Sequence, residues 1–242
     1  MSANSEPMPE PQFALQGHPL LHVLDSGASN AAYNMALDEA LLESMPRLNA
    51  PVLRFYGWTE PAASFGYFQK YADVAALTPL RPLVRRPTGG GIVPHDHDWT
   101  YSLSVPTSAR WYSLRAIESY RRIHEWIQAA FKRMGLNTEL APDCHSIGPG
   151  QCFAGYERFD LLFNGRKVAG AAQRRSRTGL LIQGSVQSPR QLQRERWHDA
   201  MAEAAAALGF EPGSFVLDET VARLARDLSG RKYGRDEFNQ KR

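Results

Sequence analysis

Arg85 to Asp96 read RRPTGGGIVPHD, which places two arginines, three adjacent glycines and a His-Asp pair in twelve residues. Glycine lacks a Cβ, so this backbone can come within hydrogen-bonding distance of a ligand. Its N–H groups can form an anion-binding concavity, and Arg85 or Arg86 can add a charge-assisted contact. A phosphate or a carboxylate is the natural guest. The G-K-[ST] ending of a P-loop is absent and no G-x-G-x-x-G occurs, so neither nucleotide fingerprint is met. A glycine-rich hairpin turn with surface arginines is the plainer alternative.

The same stretch ends in HDHD, His95 to Asp98. In an extended strand His95 and His97 share a face, a spacing that can ligate a metal. No third His or Cys stands at a recognised zinc spacing, which favours a solvated turn with one binding histidine and no metal. Two cysteines, Cys144 and Cys152, are too few for a disulfide scaffold in a chain of 242 residues. Cys144 has His145 beside it, but neighbours in an extended chain point apart and make a poor dyad. Cys152 lies in a Gly/Pro-rich loop. A buried inert thiol is its bland alternative.

Elements that could position these residues follow from periodicity. Leu20–Asp25 reads as a buried strand, followed by a helix over SNAAYNMALDEALLESM. Ser29 or Asn30 caps that helix, with Leu37, Leu41 and Met45 on one face. PVLRFYGW and AASFGYF are short strands, RPLVRR enters the glycine loop and TYSLSVP leaves it. SLRAIESYRRIHEWIQAAFKRMG is an amphipathic helix with Leu114, Ile117, Tyr120, Ile127, Phe131 and Met134 at helical spacing, ended by Gly135. Asn164-Gly165 is a two-residue hairpin signal between FDLLF and RKVAGAAQ, and GLLIQGSV is a further strand. Ser188-Pro189 opens a helix running to Ala207, and DETVARLARDLSG is the last. The class is α+β, a mixed and mostly antiparallel sheet covered by helices. Residues 1–17 read as a disordered tail and 18–242 as a single domain.

Composition narrows the partners. A net charge of +3 permits docking on an acidic protein and falls short of a nucleic-acid binder. No run approaches the ~18 apolar residues of a membrane span. The N-terminus carries Pro and Glu where a signal peptide needs an apolar stretch, so a cytoplasmic protein is expected.

YNMALDEALL, LRFYGWTEPAASFGYFQ, RRPTGGGIVPHDHDWTYSL and NGRKVAGAAQRR, taken in order from Leu20 to Gln187, resemble the lipoate–protein ligase and octanoyltransferase family. The resemblance implies a catalytic core like that of biotin protein ligases and class II tRNA synthetases. It also implies an octanoyl or lipoyl substrate, delivered finally to a lysine of a small acceptor domain. That acceptor is a glycine-cleavage H protein or the E2 of a 2-oxoacid dehydrogenase. By position it assigns substrate or acyl-adenylate contacts to Arg86, Gly89, Gly90, Gly91, Ile92, Val93, Pro94, His95, Gly170 and Ala172, and the activated carbonyl to Lys167.

Cys152 precedes Lys167 by fifteen positions, which resembles the octanoyltransferase branch. There a cysteine takes octanoate from acyl carrier protein as a thioester and needs no cofactor. A free thiol titrates at about 8.5, and a nearby ammonium favours the thiolate, so Lys167 would activate Cys152 and later shuttle a proton. The runner-up is ATP-dependent ligation through lipoyl-AMP, with ATP and Mg²⁺. The family's ligases commonly carry an accessory C-terminal domain, whereas about 30 residues follow EPGSF here, which favours transfer. Three departures keep the reaction type open: Gly91 where octanoyltransferases have Arg, Ala171 for Ser, and Gln183 for His. A non-catalytic module that binds lipoyl domains or acyl groups is a third reading. The acyl tail needs an apolar slot, for which FYGW and SFGYF are candidates. The arginines of QRRSR, Gln173 to Arg177, suit an acidic carrier or acceptor better than nucleic acid. A monomer is expected.

Overall fold

The computed structural model describes residues 20–145, 155–187 and 192–241. In chain order the elements are β1 (Leu20–Ser29), α1 (Ala31–Leu48), β2 (Val52–Trp58), β3 (Ala62–Phe65), α2 (Tyr71–Leu77), β4 (Leu83–Arg85), β5 (Val93–His95), β6 (Trp99–Pro106), α3 (Arg110–Ser113) and α4 (Ala116–Arg133). There follow β7 (Glu139–Leu140), β8 (Leu161–Phe163), β9 (Arg166–Arg175), β10 (Gly179–Val186), α5 (Arg194–Ala207), β11 (Glu211–Ser214), α6 (Glu219–Leu228), a π-helical turn (Ser229–Tyr233) and α7 (Asp236–Asn239).

Eight strands make the main sheet in the order β11-β1-β2-β6-β10-β9-β8-β7. β1 runs parallel to both its neighbours and the remaining pairs are antiparallel. This is the mixed, mostly antiparallel α+β architecture that the sequence implies. A second sheet, β4-β3-β5, was not expected. The glycine loop links its two outer strands, so the chain leaving the loop forms β5 before it reaches β6.

Strand alternation divides the main sheet into two unlike faces. Leu53 and Phe55, Tyr101, Leu103 and Val105, and Leu180 and Ile182 point to one side, where they pack with Trp126, Ile127 and Trp197 of α4 and α5. The in-register residues on the other side are Arg54 and Tyr56, Thr100 and Ser102, Gln183 and Ser185, and Gly170 and Ala172. Helix α1 covers part of that polar face, with Leu37, Leu41 and Met45 in its own apolar cluster. Buried polar residues are the informative departure from a normal core.

Local signals explain most boundaries. Asn30 caps α1, its Oδ1 accepting from the Tyr33 N–H at 2.9 Å. Asn164 (φ 51°) and Gly165 (φ 73°) both take positive φ, the condition for the tight turn joining β8 to β9. Gly135 ends the long helix region at φ 82°.

Two expectations need correction. Helix α5 begins at Arg194 with Gln193 in extended backbone, so the helix does not run on from Ser188; Ser188 and Pro189 lie outside the described residues. Ile117 is 47% exposed and Leu114 precedes α4, whose buried stripe is Ile123, Trp126, Ile127, Ala130 and Phe131. Among the described residues no helix is long and apolar enough to cross a membrane.

Replacing the α1 cap, Asn30→Ala, leaves the Tyr33 N–H without its acceptor and lowers unfolding free energy by ~1 kcal/mol. Urea unfolding followed by circular dichroism reads this as a lower midpoint at unchanged slope.

Candidate functional site

The glycine loop is held from inside. Arg86 Nη2 donates to the carbonyls of Gly89 (2.6 Å) and Gly91 (2.7 Å), and Nη1 donates to the Ser64 carbonyl at 3.2 Å. Its cation thus shapes the loop as well as bordering the space beside it. Arg85 has a different task. Fully buried, it donates to the carbonyls of Tyr67 (2.8 Å), Gln69 (2.6 Å) and Asn239 (2.8 Å), so it is not the ligand contact that its position suggested. Gly90 takes φ 85°, and a Cβ on Gly66 would lie 1.9 Å from the Gly90 carbonyl oxygen. Both positions need glycine for the loop to lie against β3.

Below the loop lies Asp38 of α1, whose carboxylate is fully buried. Oδ1 accepts from Arg54 Nη1 (2.6 Å) and Ser102 Oγ (2.7 Å); Oδ2 accepts from Gln183 Nε2 (2.7 Å) and Tyr56 OH (3.1 Å). Burial and the adjoining Asp38 charge push the Tyr56 hydroxyl well above its usual range. Gln183 in turn accepts from Thr88 Oγ1 at 2.8 Å, which links this cluster to the loop.

Lys167 enters from β9, its Nζ 2.7 Å from Asp160 Oδ2. Asp160 is fully buried and also accepts from the Glu157 N–H (2.7 Å) and from Tyr120 OH. A Cβ on Gly170 would stand 2.6 Å from Lys167 Cε, so glycine there makes room for the ammonium. Behind the pair, burial raises the Tyr120 hydroxyl well above its usual range, with the Asp160 charge a further cause. Burial also drives His124 down to about 4.

Cys152 lies outside the described residues. The backbone on either side is joined by His145 and Tyr156, which exchange hydrogen bonds of 2.7 and 2.9 Å. Cys144 is exposed and does not line the cleft described next.

His95 is buried, not part of a solvated turn. Its Nδ1 is 2.9 Å from Asp98 Oδ2 and its Nε2 is 2.8 Å from Ser64 Oγ. β5 ends at His95, so the alternation that would have paired it with His97 stops, and His97 is exposed. Among the described residues no group of three His, Cys, Asp or Glu could hold a metal ion.

These parts line one cleft, open to solvent on one side. Of the expected contact residues, Arg86, Gly90, Val93, His95, Lys167, Gly170 and Ala172 line it. Gly89 and Gly91 stand back, their carbonyls held by Arg86. Ile92 packs with Phe65 and Val74, and Pro94 pairs with Ala63 in the small sheet. Of the aromatics proposed for the acyl slot, Tyr56 lines the cleft, whereas Phe55 and Phe65 are core.

Met35, Ser64, Thr100, Gly184 and Ser185 also line the cleft and were missed, as were Asp38, Arg54, Asp98 and Asp160 behind it. One signal was available: Asp38-Glu39 interrupts the apolar run Ala36-Leu37…Ala40-Leu41-Leu42, and charges inside such a run require buried partners.

The chain is similar to known proteins over most of its length. The lipoyl protein ligase A/B catalytic domain model matches residues 30–238. Octanoyltransferase LipM of Geobacillus kaustophilus is 32% identical, the match covering 90% of this chain and 97% of the relative. Octanoyltransferase LipM of Bacillus subtilis is 31% identical with the same coverage. Among solved structures, lipoate-protein ligase A bound with ATP superposes with a TM-score of 0.75 at 20% identity, over 92% of this chain and 98% of that one. A bi-partite lipoate protein ligase of Thermoplasma acidophilum gives 0.69 at 20% identity, over 92% and 96%. At this identity the two structures establish a common fold.

Asp38→Ala leaves the Arg54 guanidinium buried without its carboxylate and lowers unfolding free energy by about 3–5 kcal/mol, read from urea midpoints. A second outcome concerns pH. Below pH 6.5 the unfolded chain protonates His124 while the folded chain, with its value near 4, resists. Stability therefore falls as pH drops through this window, by about 3 kcal/mol in all. His124→Phe flattens that part of the pH dependence in urea unfolding.

Proposed function

The chain belongs to the lipoyl protein ligase A/B catalytic-domain family, and from this premise we propose that it transfers an octanoyl or lipoyl group through a thioester on Cys152. The donor is an acyl carrier protein thioester and the acceptor a lysine of a lipoyl domain, in the cytoplasm. The observation that carries the reading is Lys167, held by Asp160 at 2.7 Å on the wall of the cleft. His145 and Tyr156, joined by a backbone bridge, flank the stretch of sequence that contains Cys152. The octanoyltransferase relatives support the same reaction class.

In this reading the Cys152 thiolate attacks the donor carbonyl, the C–S bond to the carrier breaks, and the carrier thiol leaves with a proton. The acceptor amine then attacks the new thioester, loses a proton and expels Cys152. An ammonium at Lys167 favours the thiolate and steadies the negative charge that develops on the carbonyl oxygen. Tyr56, Val93, Met35, Ala171 and Ala172 supply apolar surface for the chain. Arg166, Arg175 and Arg177, exposed along and after β9, are suited to an acidic carrier or acceptor.

ATP-dependent ligation with Mg²⁺ is the second reading. It is favoured by the bare Gly91 in the loop and by the fold shared with a ligase that binds ATP.

Intact mass decides between them. With octanoyl–acyl carrier protein and no ATP, the wild type gains one octanoyl group that neutral hydroxylamine removes, as it does a thioester and not a serine ester, and Cys152→Ala gains no such thioester. Formation of lipoyl-AMP from ATP and lipoate, with no such adduct, would establish the ligase instead.

A further inference from the structure

We propose that Ser64 is a second acyl-accepting nucleophile, activated by His95 and Asp98, which gives the cleft a hydrolase activity toward medium-chain acyl esters and thioesters independent of Cys152. The three residues come from β3, from the end of β5 and from the turn before β6. They form a continuous chain, with Ser64 Oγ 2.8 Å from His95 Nε2 and His95 Nδ1 2.9 Å from Asp98 Oδ2. Ser64 and His95 both line the cleft.

The direction of the chain follows from its end. A carboxylate can only accept, so Nδ1 carries a proton toward Asp98, and in the ring's neutral form Nε2 presents its lone pair to the Ser64 hydroxyl. That is the tautomer a general base for serine requires. Asp98 is fixed in turn. Its side chain is 1% exposed, and the same Oδ2 accepts from Ser185 Oγ (2.6 Å) and Thr100 Oγ1 (3.0 Å). Trp58 stacks on the imidazole at 3.9 Å between ring centres and donates from Nε1 to Thr100 Oγ1 at 2.8 Å, which locks the ring's plane. Finally, Arg86 Nη1 lies 3.4 Å from Ser64 Oγ, so a fixed positive charge borders the place where a carbonyl oxygen would gain negative charge.

The step balances without any group beyond water. Ser64 Oγ bonds to the acyl carbon as its proton passes to His95 Nε2. The bond from the acyl carbon to sulfur or oxygen breaks, and the leaving thiol or alcohol takes that proton. Water, deprotonated by His95, then cleaves the serine ester, releasing the fatty acid and restoring the hydroxyl. Bracing of β3 against β5 would account for the same hydrogen bonds but predicts no covalent chemistry at Ser64.

The test uses the full chain with Cys152→Ala, so that no thiol adduct competes. It is treated with an octyl fluorophosphonate, and separately with p-nitrophenyl octanoate. The expected result is one phosphonyl group, mapped by peptide mass spectrometry to Ser64, and ester turnover that falls about 100-fold or more with Ser64→Ala or His95→Gln. Thermal unfolding confirms that these variants are folded, and adduct mapping on the unsubstituted serine does not depend on them. Absence of a Ser64 adduct overturns the proposal, as does turnover unchanged by Ser64→Ala. The wild type's octanoyl uptake on Cys152, measured in parallel, reports on the transferase reading separately.

Discussion

A buried ion pair organises this site. Asp38 and Arg54 meet at 2.6 Å with neither side chain exposed, and in a medium of low dielectric each would be costly without the other. Arg54 is fixed further by Asn34, through its backbone carbonyl (3.0 Å) and its side-chain oxygen (2.8 Å), and by Ser26 Oγ at 2.8 Å. The pair therefore sets helix α1 at one height and rotation over the sheet. From Asp38 the order passes through Gln183 to Thr88, the residue immediately before the three glycines. Gln183 is the joint of that chain. As an amide it can donate to Asp38 and accept from Thr88 at the same time, without a titratable proton.

The sheet makes this arrangement possible by giving its two faces different work. The α4/α5 side is apolar and holds the fold through Trp126, Trp197 and their neighbours. The α1 side carries hydroxyls, amides and charges that pair with one another, as Asp38 does with Arg54, Ser102 and Gln183. Its small residues, Gly170 and Ala172, leave volume where larger ones would have closed the surface. Strand alternation in the main sheet thus supplies one wall of the cleft, and the glycine loop, the small sheet and α1 supply the rest.

Sequence reading reached much of this. Periodicity located α1, α4, α6 and most strands, because each buries one regular stripe or alternates cleanly, and Asn164-Gly165 located its turn. The small sheet was not legible: β4 and β5 have three residues each, too few to show a period, and helix α2 separates them in sequence from their pairing partner β3. At the site, glycines, His95 and Lys167 stood out by type. Asp38, Arg54, Asp98 and Asp160 did not, since what matters about them is a partner 3 to 145 positions away, and such pairings are properties of the fold. Arg85 and Arg86 show the limit most plainly. They are adjacent and chemically identical, yet one holds backbone carbonyls deep in the protein and the other borders the cleft.

The segment after α6 closes back on the earliest part of the site. Lys232 and Tyr233 meet Glu39 at 2.6 and 2.8 Å, and Asn239 accepts from the Arg85 N–H at 2.8 Å. These contacts span up to 194 residues, so they can form only when nearly all of the chain is available. During synthesis, Glu39 and Arg85 emerge from the ribosome long before the groups that neutralise or hydrogen-bond them. The last braces on α1 and on the strand that enters the glycine loop are therefore set only when the C-terminal residues arrive. A product truncated before Lys232 would keep the whole main sheet and leave Glu39 and the Arg85 N–H without these partners.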